Sequence, residues 1–442
     1  MAMNINQQKS ASNIDSQRTF GKIVNDIEGY KYLGILEDAK NNIKETNKQI
    51  IKKKIIDRTK ALCATELNAK NLFKAIDEFA ISTINYYIGV IEFNMKDYDE
   101  IDKDIRRCLA EHDYTRRASN MERLYLPRSS LGRGLTNVQE MAEIILANLN
   151  QKLETKPQTT VIIEQEKEDK TTLSKIFDEL QAKYAIDKNE YNQTLLKEKQ
   201  LDARMTRIKG KKLHGVIFQN ENEQIDIEQS SKWLKNGNVA PKDEAMWCKI
   251  QDRNWFLDKK KCHHCREKQL TMDHIATRCE PLVSSVYKNR HDEIVSSIHL
   301  HIARSYGFTK QTKITGYKTQ PILSNEKVVI KCDQHIDTHT TVEFNKPDIL
   351  IHDMIKNEVT IIEVGVTNLE SLVRVEIEKS RKYQMLAQDV RLQVKAKKAT
   401  VVPIVLTWDG CVTKHHRHSG SNQHEVLLEL RSPKIKVWAE LR

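Results

Sequence analysis

Apolar positions recur at two different periods along this chain, and the change of period divides it. From residue 1 to about 150 the spacing is largely helical, clearest over 61–80 and 98–112. One short strand at 32–35 is expected ahead of those helices. Residues 152–172 are polar and charge-dense, the pattern of a linker or an exposed helix connection. A long charged helical pattern resumes over 173–210. Residues 211–305 hold three of the five tryptophans and a group of cysteines and histidines. Beyond residue 315 the period falls to two, in 327–331, 349–351, 359–362 and 400–406, with one helical stretch at 371–398 inserted. That alternation predicts an α/β domain. No internal repeat is present.

Composition adds a class of partner. The 442 residues are enough for two to four domains. Lys and Arg number 72 against 61 Asp and Glu, a net charge of +11. Such an excess points to a polyanion, nucleic acid first. With 30% of residues charged, the excess lies on a densely charged surface and not in a tail. No apolar run reaches the roughly 18 residues of a membrane span, and the N-terminus lacks the apolar core of a signal peptide. No membrane partner is expected. Cys63, Cys108, Cys332 and Cys411 stand alone in the sequence and are expected to be reduced core residues. This favours a reducing compartment, cytosol or nucleus.

Four ligand-type residues are grouped. Cys262 and Cys265 are followed after eight residues by His274 and after four more by Cys279. Thiolates and imidazole at this spacing suit a tetrahedral Zn²⁺, and four ligands close the site, making it structural. The first pair would sit on a tight turn, and His274 and Cys279 would come from the following short helix, 272–278. In so small a module the metal would supply folding energy. The other reading is a grouping of core cysteines. Lys259, Lys260, Lys261 and Arg266 crowd the turn, which argues against an apolar role and makes Lys260, Lys261 and Arg266 candidate nucleic-acid contacts. Cys248 is out of spacing. His263 and His264 adjoin the first cysteine, where geometry would be strained.

Two carboxylates are patterned as well. Lys346-Pro347-Asp348 leads into one apolar strand, and Glu363 lies fifteen residues later inside another. A hard divalent cation, Mg²⁺ or Mn²⁺, is held by one or two such carboxylates. A hairpin with surface acids is the alternative. The following helix carries the cation. Setting Lys379 at zero and stepping about 100° per residue puts Val375, Tyr383, Leu386 and Val390 within about 40° of it. Lys379 is therefore centred on the apolar stripe, with Lys382 about 60° away. An amine on a core face is costly without a partner, and the two acids would provide one; snorkelling is the alternative. Asp333, Asp337 and Glu343 are accessory candidates or solvated charges. Asp353 is expected to be solvated. His335, His339, His415, His416 and His418 are left open between site and surface. Arg123, Arg128 and Arg133 flank a glycine-rich turn and suit phosphate contacts, or a packed motif.

Strand, acid, strand, acid, helix, lysine is the layout of the PD-(D/E)xK restriction-type nucleases. The common lysine two residues after the second acid is Gly365 here, so the helix must supply it, and Lys379-x-x-Lys382-Tyr383 does not choose between its lysines. Zinc knuckle, Pro-Asp, Glu and that motif, in this order, resemble the C-terminal region of site-specific non-LTR retrotransposon proteins with a restriction-like endonuclease. The likeness runs over nearly the whole chain. Met3-Asn4-Ile5-Asn6 with Lys9-Ser10 resembles the reverse-transcriptase segment after the catalytic turn, and the 30–35 string the next palm strand. The 79–89 string with Ile101-Asp102 and Arg106 resembles the thumb. The most specific string in this half is Arg123-Leu124-Tyr125-Leu126-Pro127-Arg128 with Gly132-Arg133-Gly134-Leu135. Lys212-Leu213-His214-Gly215, Trp233 to Gly237 and Gln251-Asp252 resemble the family's linker, and Arg290-His291 follows the knuckle as in the family.

The resemblance implies a multidomain protein. Its parts are a residual palm segment (1–55), a thumb-like helical domain (56–150), a helical linker (151–250), a CCHC zinc knuckle region (251–305) and an endonuclease domain (315–442). It also implies target DNA as partner, element RNA as a second, and action in the nucleus after synthesis in the cytoplasm. Oligomeric state is left open. One departure matters: no Asp-Asp pair exists anywhere in the chain. Polymerase chemistry needs those acids, so no polymerase activity is expected of this chain alone. It would be a truncated copy, a late-starting gene model or a retained C-terminal piece. The competing expectation is a catalytically silent nucleic-acid-binding remnant.

Overall fold

A computed structural model of the protein describes residues 30–37, 44–156, 159–219, 225–256 and 260–414. The 3–10 run, Lys259, His415, His416 and His418 lie outside the described residues.

The first half is helical apart from one hairpin. Strands β1 (Tyr30–Tyr32) and β2 (Ile35–Glu37) pair antiparallel. Leu33 and Gly34 between them both have positive φ, so the expected single strand at 32–35 is a turn joining two strands. Helices α1 (Lys44–Cys63), α2 (Ala69–Ala75), α3 (Met95–Glu111), α4 (Val138–Glu154), α5 (Thr172–Tyr184) and α6 (Gln193–Lys209) follow. Asparagines punctuate them. Asn68, Asn94, Asn137 and Asn192 each accept from the amide three residues on, satisfying donors a helix start leaves free. Asn68 also explains why the helical stretch at 61–80 is broken. Within the polar 152–172 stretch, Thr160–Glu168 is helical. Ile55, Phe73, Ile76, Ile101, Ile105 and Leu180 belong to the core of this half, each at most 1% exposed. No described helix is long and apolar enough to cross a membrane.

The second half is built on a five-stranded mixed sheet in the order β3 (Ile322–Ser324), β4 (Val328–Cys332), β5 (Ile349–Asp353), β6 (Glu358–Thr367), β7 (Lys398–Thr407). All neighbours are antiparallel except β6 and β7, which run parallel through all ten residues of each. Parallel pairing needs a crossover. Here α9 (Leu372–Lys382) and α10 (Gln384–Gln393) provide it, with α7 (Pro241–Gln251) and α8 (Lys288–Ser305) earlier in the chain. The expected single helix at 371–398 is thus two, broken at Tyr383 (φ −111°, ψ 17°). The buried Tyr383 hydroxyl donates to the Lys346 carbonyl at 2.7 Å, which holds the break against the segment that leads through Asp348 into β5. The sheet is covered on both faces. Val295, Ile298 and Ile302 of α8 pack with Ile349, Ile362 and Val364; Tyr383, Leu386 and Val390 pack with Leu350, Val359 and Ile361.

Arg123, Arg128 and Arg133 do not form a phosphate-binding loop of free guanidinium groups. Arg123 is 1% exposed and donates to the carbonyls of Leu131 and Cys248, to Asp252 and to Gln251. Arg128 and Arg133 converge on the fully buried Glu244 of α7 at 2.7 and 2.9 Å. The close approach the glycines permit is to the protein's own chain: a Cβ on Gly132 would lie 2.0 Å from the Leu126 carbonyl oxygen. Buried charges need partners, and α7 supplies them.

Candidate metal centre and carboxylate site

The cysteine–histidine cluster starts on a turn. Lys261 bridges to Gln269, and Cys262 N donates to the Lys268 carbonyl at 2.8 Å. Arg266, at φ +59°, lets the chain reverse, and its amide donates back to the Cys262 carbonyl. Lys260, Lys261 and Arg266 are exposed around this turn. His274 opens a π-helical turn at His274–Arg278, and Cys279 ends it. Their four ligand atoms all lie within 4.8 Å of one another. Cys262 and Cys279 sulfurs are 3.7 Å apart, and the Cys265 sulfur is 3.3 Å from His274 Nε2. Such a cluster could hold a metal, and its donor set is compatible with structural zinc. His263 and His264 stay exposed and outside it.

The knuckle is fastened to the sheet. Asp273 accepts from Trp408 Nε1, just past β7, at 2.9 Å and from Arg253 at 3.2 Å. Arg290 in α8 donates to the Ala276 carbonyl.

The two acids flank one end of a strand pair. Ile349, the first residue of β5, is in register with Ile362, so Asp348, just ahead of β5, and Glu363, just after Ile362 in β6, lie at the same end of the pair. Ile361 faces α9 and α10. Glu363, two residues on, faces the same helices, and it is 2% exposed. Its Oε1 accepts from Lys379 Nζ at 2.6 Å and from Lys382 Nζ at 3.0 Å. Its Oε2 is buried without a partner among the described residues. Asp348 Oδ2 accepts from the Val364 amide at 2.7 Å and is 3.2 Å from His291 Nε2.

Charge explains the titration of these groups. Burial alone would raise the Asp348 pKa; His291, the Val364 amide and Lys379 outweigh it and hold it below the ordinary value. Burial would likewise lower the His291 pKa, but Asp348 and then Asp292 raise it. For Lys382, burial opposes the charge, and Tyr383 and Glu363 overcome it to raise its pKa.

Gly365 has a steric reason to be glycine. A Cβ there would stand 3.2 Å from a Val405 methyl and 3.3 Å from one of Val375, so α9 packs where a longer side chain would project. Any side chain at 365 must push these methyls back by a few tenths of an ångström, and the same close helix presents Lys379 and Lys382.

His291 is the site neighbour that sequence reading passed over, noting it only within a string. Its signal is periodicity. It begins the stripe His291, Val295, Ile298, Ile302 that lays α8 on the sheet. The accessory acids stay apart: Asp333 pairs with Lys346 at 2.9 Å, and neither Asp348 nor Glu363 belongs to a group of three or more metal-ligand side chains among the described residues. Asp353 is not solvated. It is 7% exposed, accepts from Ile355, Lys356 and Tyr306, and holds its own turn. His335 and His339 make loop contacts to Asn345 and Asp389.

No protein-family model matches this chain, and no curated protein matches it.

Proposed function

We propose that this chain is the C-terminal part of a site-specific non-LTR retrotransposon protein. We read it as a divalent-metal-dependent DNA endonuclease that nicks target DNA for target-primed insertion. The observation that carries this is Glu363: a buried carboxylate at the same end of the β5–β6 pair as Asp348, with one oxygen bound by two lysines and the other unpartnered among the described residues. An oxygen left without a donor in a buried site is an expensive arrangement, and a cation would satisfy it. Asp348 and Glu363 would hold Mg²⁺ or Mn²⁺, hard ions that take oxygen donors. Bound there, the ion supplies Lewis-acid polarisation of a phosphoryl oxygen and a more acidic water. Lys379 and Lys382, held by Glu363, would stabilise the charge that develops on the attacked phosphate. The Cys262, Cys265, His274, Cys279 cluster is read as a structural Zn²⁺ site. Target DNA, element RNA and nuclear action belong to the same proposal.

The test is nicking of supercoiled DNA with Mg²⁺ or Mn²⁺. Asp348→Ala, Glu363→Ala and Lys379→Ala are each expected to cut the rate by about 10²-fold or more, leaving salt-sensitive DNA binding in place. One observation favours the silent nucleic-acid-binding remnant. The two lysines already neutralise Glu363, and His291 and Val364 already hold Asp348. A chain that binds DNA and never cuts with either metal would establish that reading instead.

A further inference from the structure

A cavity of about 470 Å³ opens between α3, the 115–124 segment and α7, in the helical half of the chain. Its wall carries six basic side chains, Lys103, Arg106, Arg107, Arg116, Arg123 and Arg133, against one acid, Asp252. Asp252 is already engaged: one oxygen accepts from Arg123 and the other from the Asn120 amide, and the buried Glu244 behind the wall takes Arg133 at 2.9 Å. Acids outside the wall meet the outer cations, Asp99 with Lys103, Asp104 with Arg107 and Asp113 with Arg116. These are short-range pairs along the chain with exposed members, and such pairs hold weakly.

The wall is also rich in unused donors. Arg116 Nε, Ser119 Oγ, Asn120 Nδ2 and Arg133 Nη2 are buried without a partner among the described residues. Arg133 and Asn120 are each 4% exposed. The three nitrogens can only donate, and the hydroxyl can donate. Buried donors normally find an acceptor. What this wall lacks is acceptors for those four donors. A phosphate group answers that lack, because its oxygens take several charge-assisted hydrogen bonds from guanidinium groups at once. No aromatic ring lines the cavity, so it offers no platform on which a base could stack.

We propose that this cavity is a phosphate-binding site, distinct from the carboxylate site and independent of whether that site cuts DNA. It recognises phosphate and not base. The phosphate comes from a polynucleotide strand or from a small free anion.

The experiment uses the full chain and inorganic pyrophosphate, titrated calorimetrically at low ionic strength. The variant is Arg107→Ala with Arg116→Ala, since Arg123 and Arg133 hold the fold and must stay. Wild type is expected to bind, and the variant to bind about tenfold more weakly, the loss of one or two charged hydrogen bonds. Its thermal unfolding should match wild type. Lys260→Ala with Lys261→Ala, at the knuckle, should leave pyrophosphate affinity unchanged. Competition then separates the sources. A 5′-phosphorylated oligonucleotide that displaces pyrophosphate, better than its 5′-hydroxyl twin, makes the ligand a strand phosphate. Failure of the oligonucleotide to compete, with pyrophosphate still bound, makes it a free anion. The site is refuted if wild type does not bind pyrophosphate, if the cavity variant binds as wild type does, or if the knuckle variant loses as much.

Discussion

Single side chains carry the chemistry of this molecule, and Gly365 shows how tightly they are held. The Val405 and Val375 methyls stand 3.2–3.4 Å from where a Cβ would go. Gly365→Ala therefore overpacks the seam between β6 and α9, at a cost of about 1–3 kcal/mol. It should also push α9 and its two lysines away from Glu363. The expected result is a lower urea midpoint with nicking reduced more than DNA binding; unchanged midpoint and rate would mean that α9 is free to shift. The residue scale is also where sequence was most informative. The four knuckle residues lie within eighteen positions of one another, so their spacing alone brought them together. Lys379 was found because helical phase put an amine on an apolar stripe. The His291 partner lies 57 residues away, and no local pattern states such a pairing. Sequence left phosphate contacts and a packed motif open at 123–133 for the same reason, because Glu244 and Asp252, which pair with these arginines, come from distant α7 and its C-terminal end.

At the scale of elements, buried acids do work that periodicity does not show. The start of α4 is held from two sides. Asp102 in α3 accepts from the Val138 and Gln139 amides and from Asn137, and Asp77 accepts from the Thr136 amide. Burial pushes the Asp102 carboxyl up to about 7 and that of Asp77 up to about 6, despite those donors. The sign of the linkage follows. Between the ordinary value of 3.8 and these raised values the folded chain keeps protons that the unfolded chain has lost. Stability from these groups is therefore fullest below about pH 4, falls as pH rises toward 7, and is level above that. Asp102→Asn keeps an acceptor and removes the titration. Relative to wild type it should gain stability between pH 5 and pH 7.5, read as urea midpoints. An equal difference at both pH values would show that Asp102 is already ionised at pH 5. Elements of this kind were only partly readable in advance. The period-two stretches gave β4 to β7, but the break at Tyr383 depends on a hydroxyl reaching the Lys346 carbonyl, and the hairpin at 30–37 depends on two residues with positive φ.

Across the whole molecule, α7 and the knuckle tie the two halves together. Glu244 receives Arg128 and Arg133 from the helical half, while Gln251 at the other end of α7 donates to the Asp409 carbonyl beyond β7 at 2.6 Å. Removing one member of a buried ion cluster leaves the others uncompensated, which costs about 3–5 kcal/mol. Glu244→Ala should lower the unfolding midpoint accordingly, with Glu244→Gln recovering part of it by keeping an acceptor. A midpoint within experimental error of wild type would show that the two guanidinium groups find water or another acid.

The knuckle makes the second tie, and it reaches the carboxylates. Asp273 bonds Trp408 at the end of β7, Arg290 bonds the Ala276 carbonyl, and His291, next in α8, stands against Asp348. If the four ligands close on Zn²⁺, the metal provides folding energy that so small a module lacks. Losing it would free the start of α8 and with it the support of Asp348. Cys279→Ala should therefore lose about one equivalent of zinc by native mass spectrometry. It should also slow Mg²⁺-dependent nicking, although Asp348, Glu363, Lys379 and Lys382 are all intact. His291→Ala in the zinc-loaded chain should reproduce part of that loss without releasing zinc, because it cuts the link at its far end. A Cys279→Ala chain that has lost its zinc and still nicks at the wild-type rate would separate the two sites and make the knuckle a neighbour of the carboxylates with no hold on them.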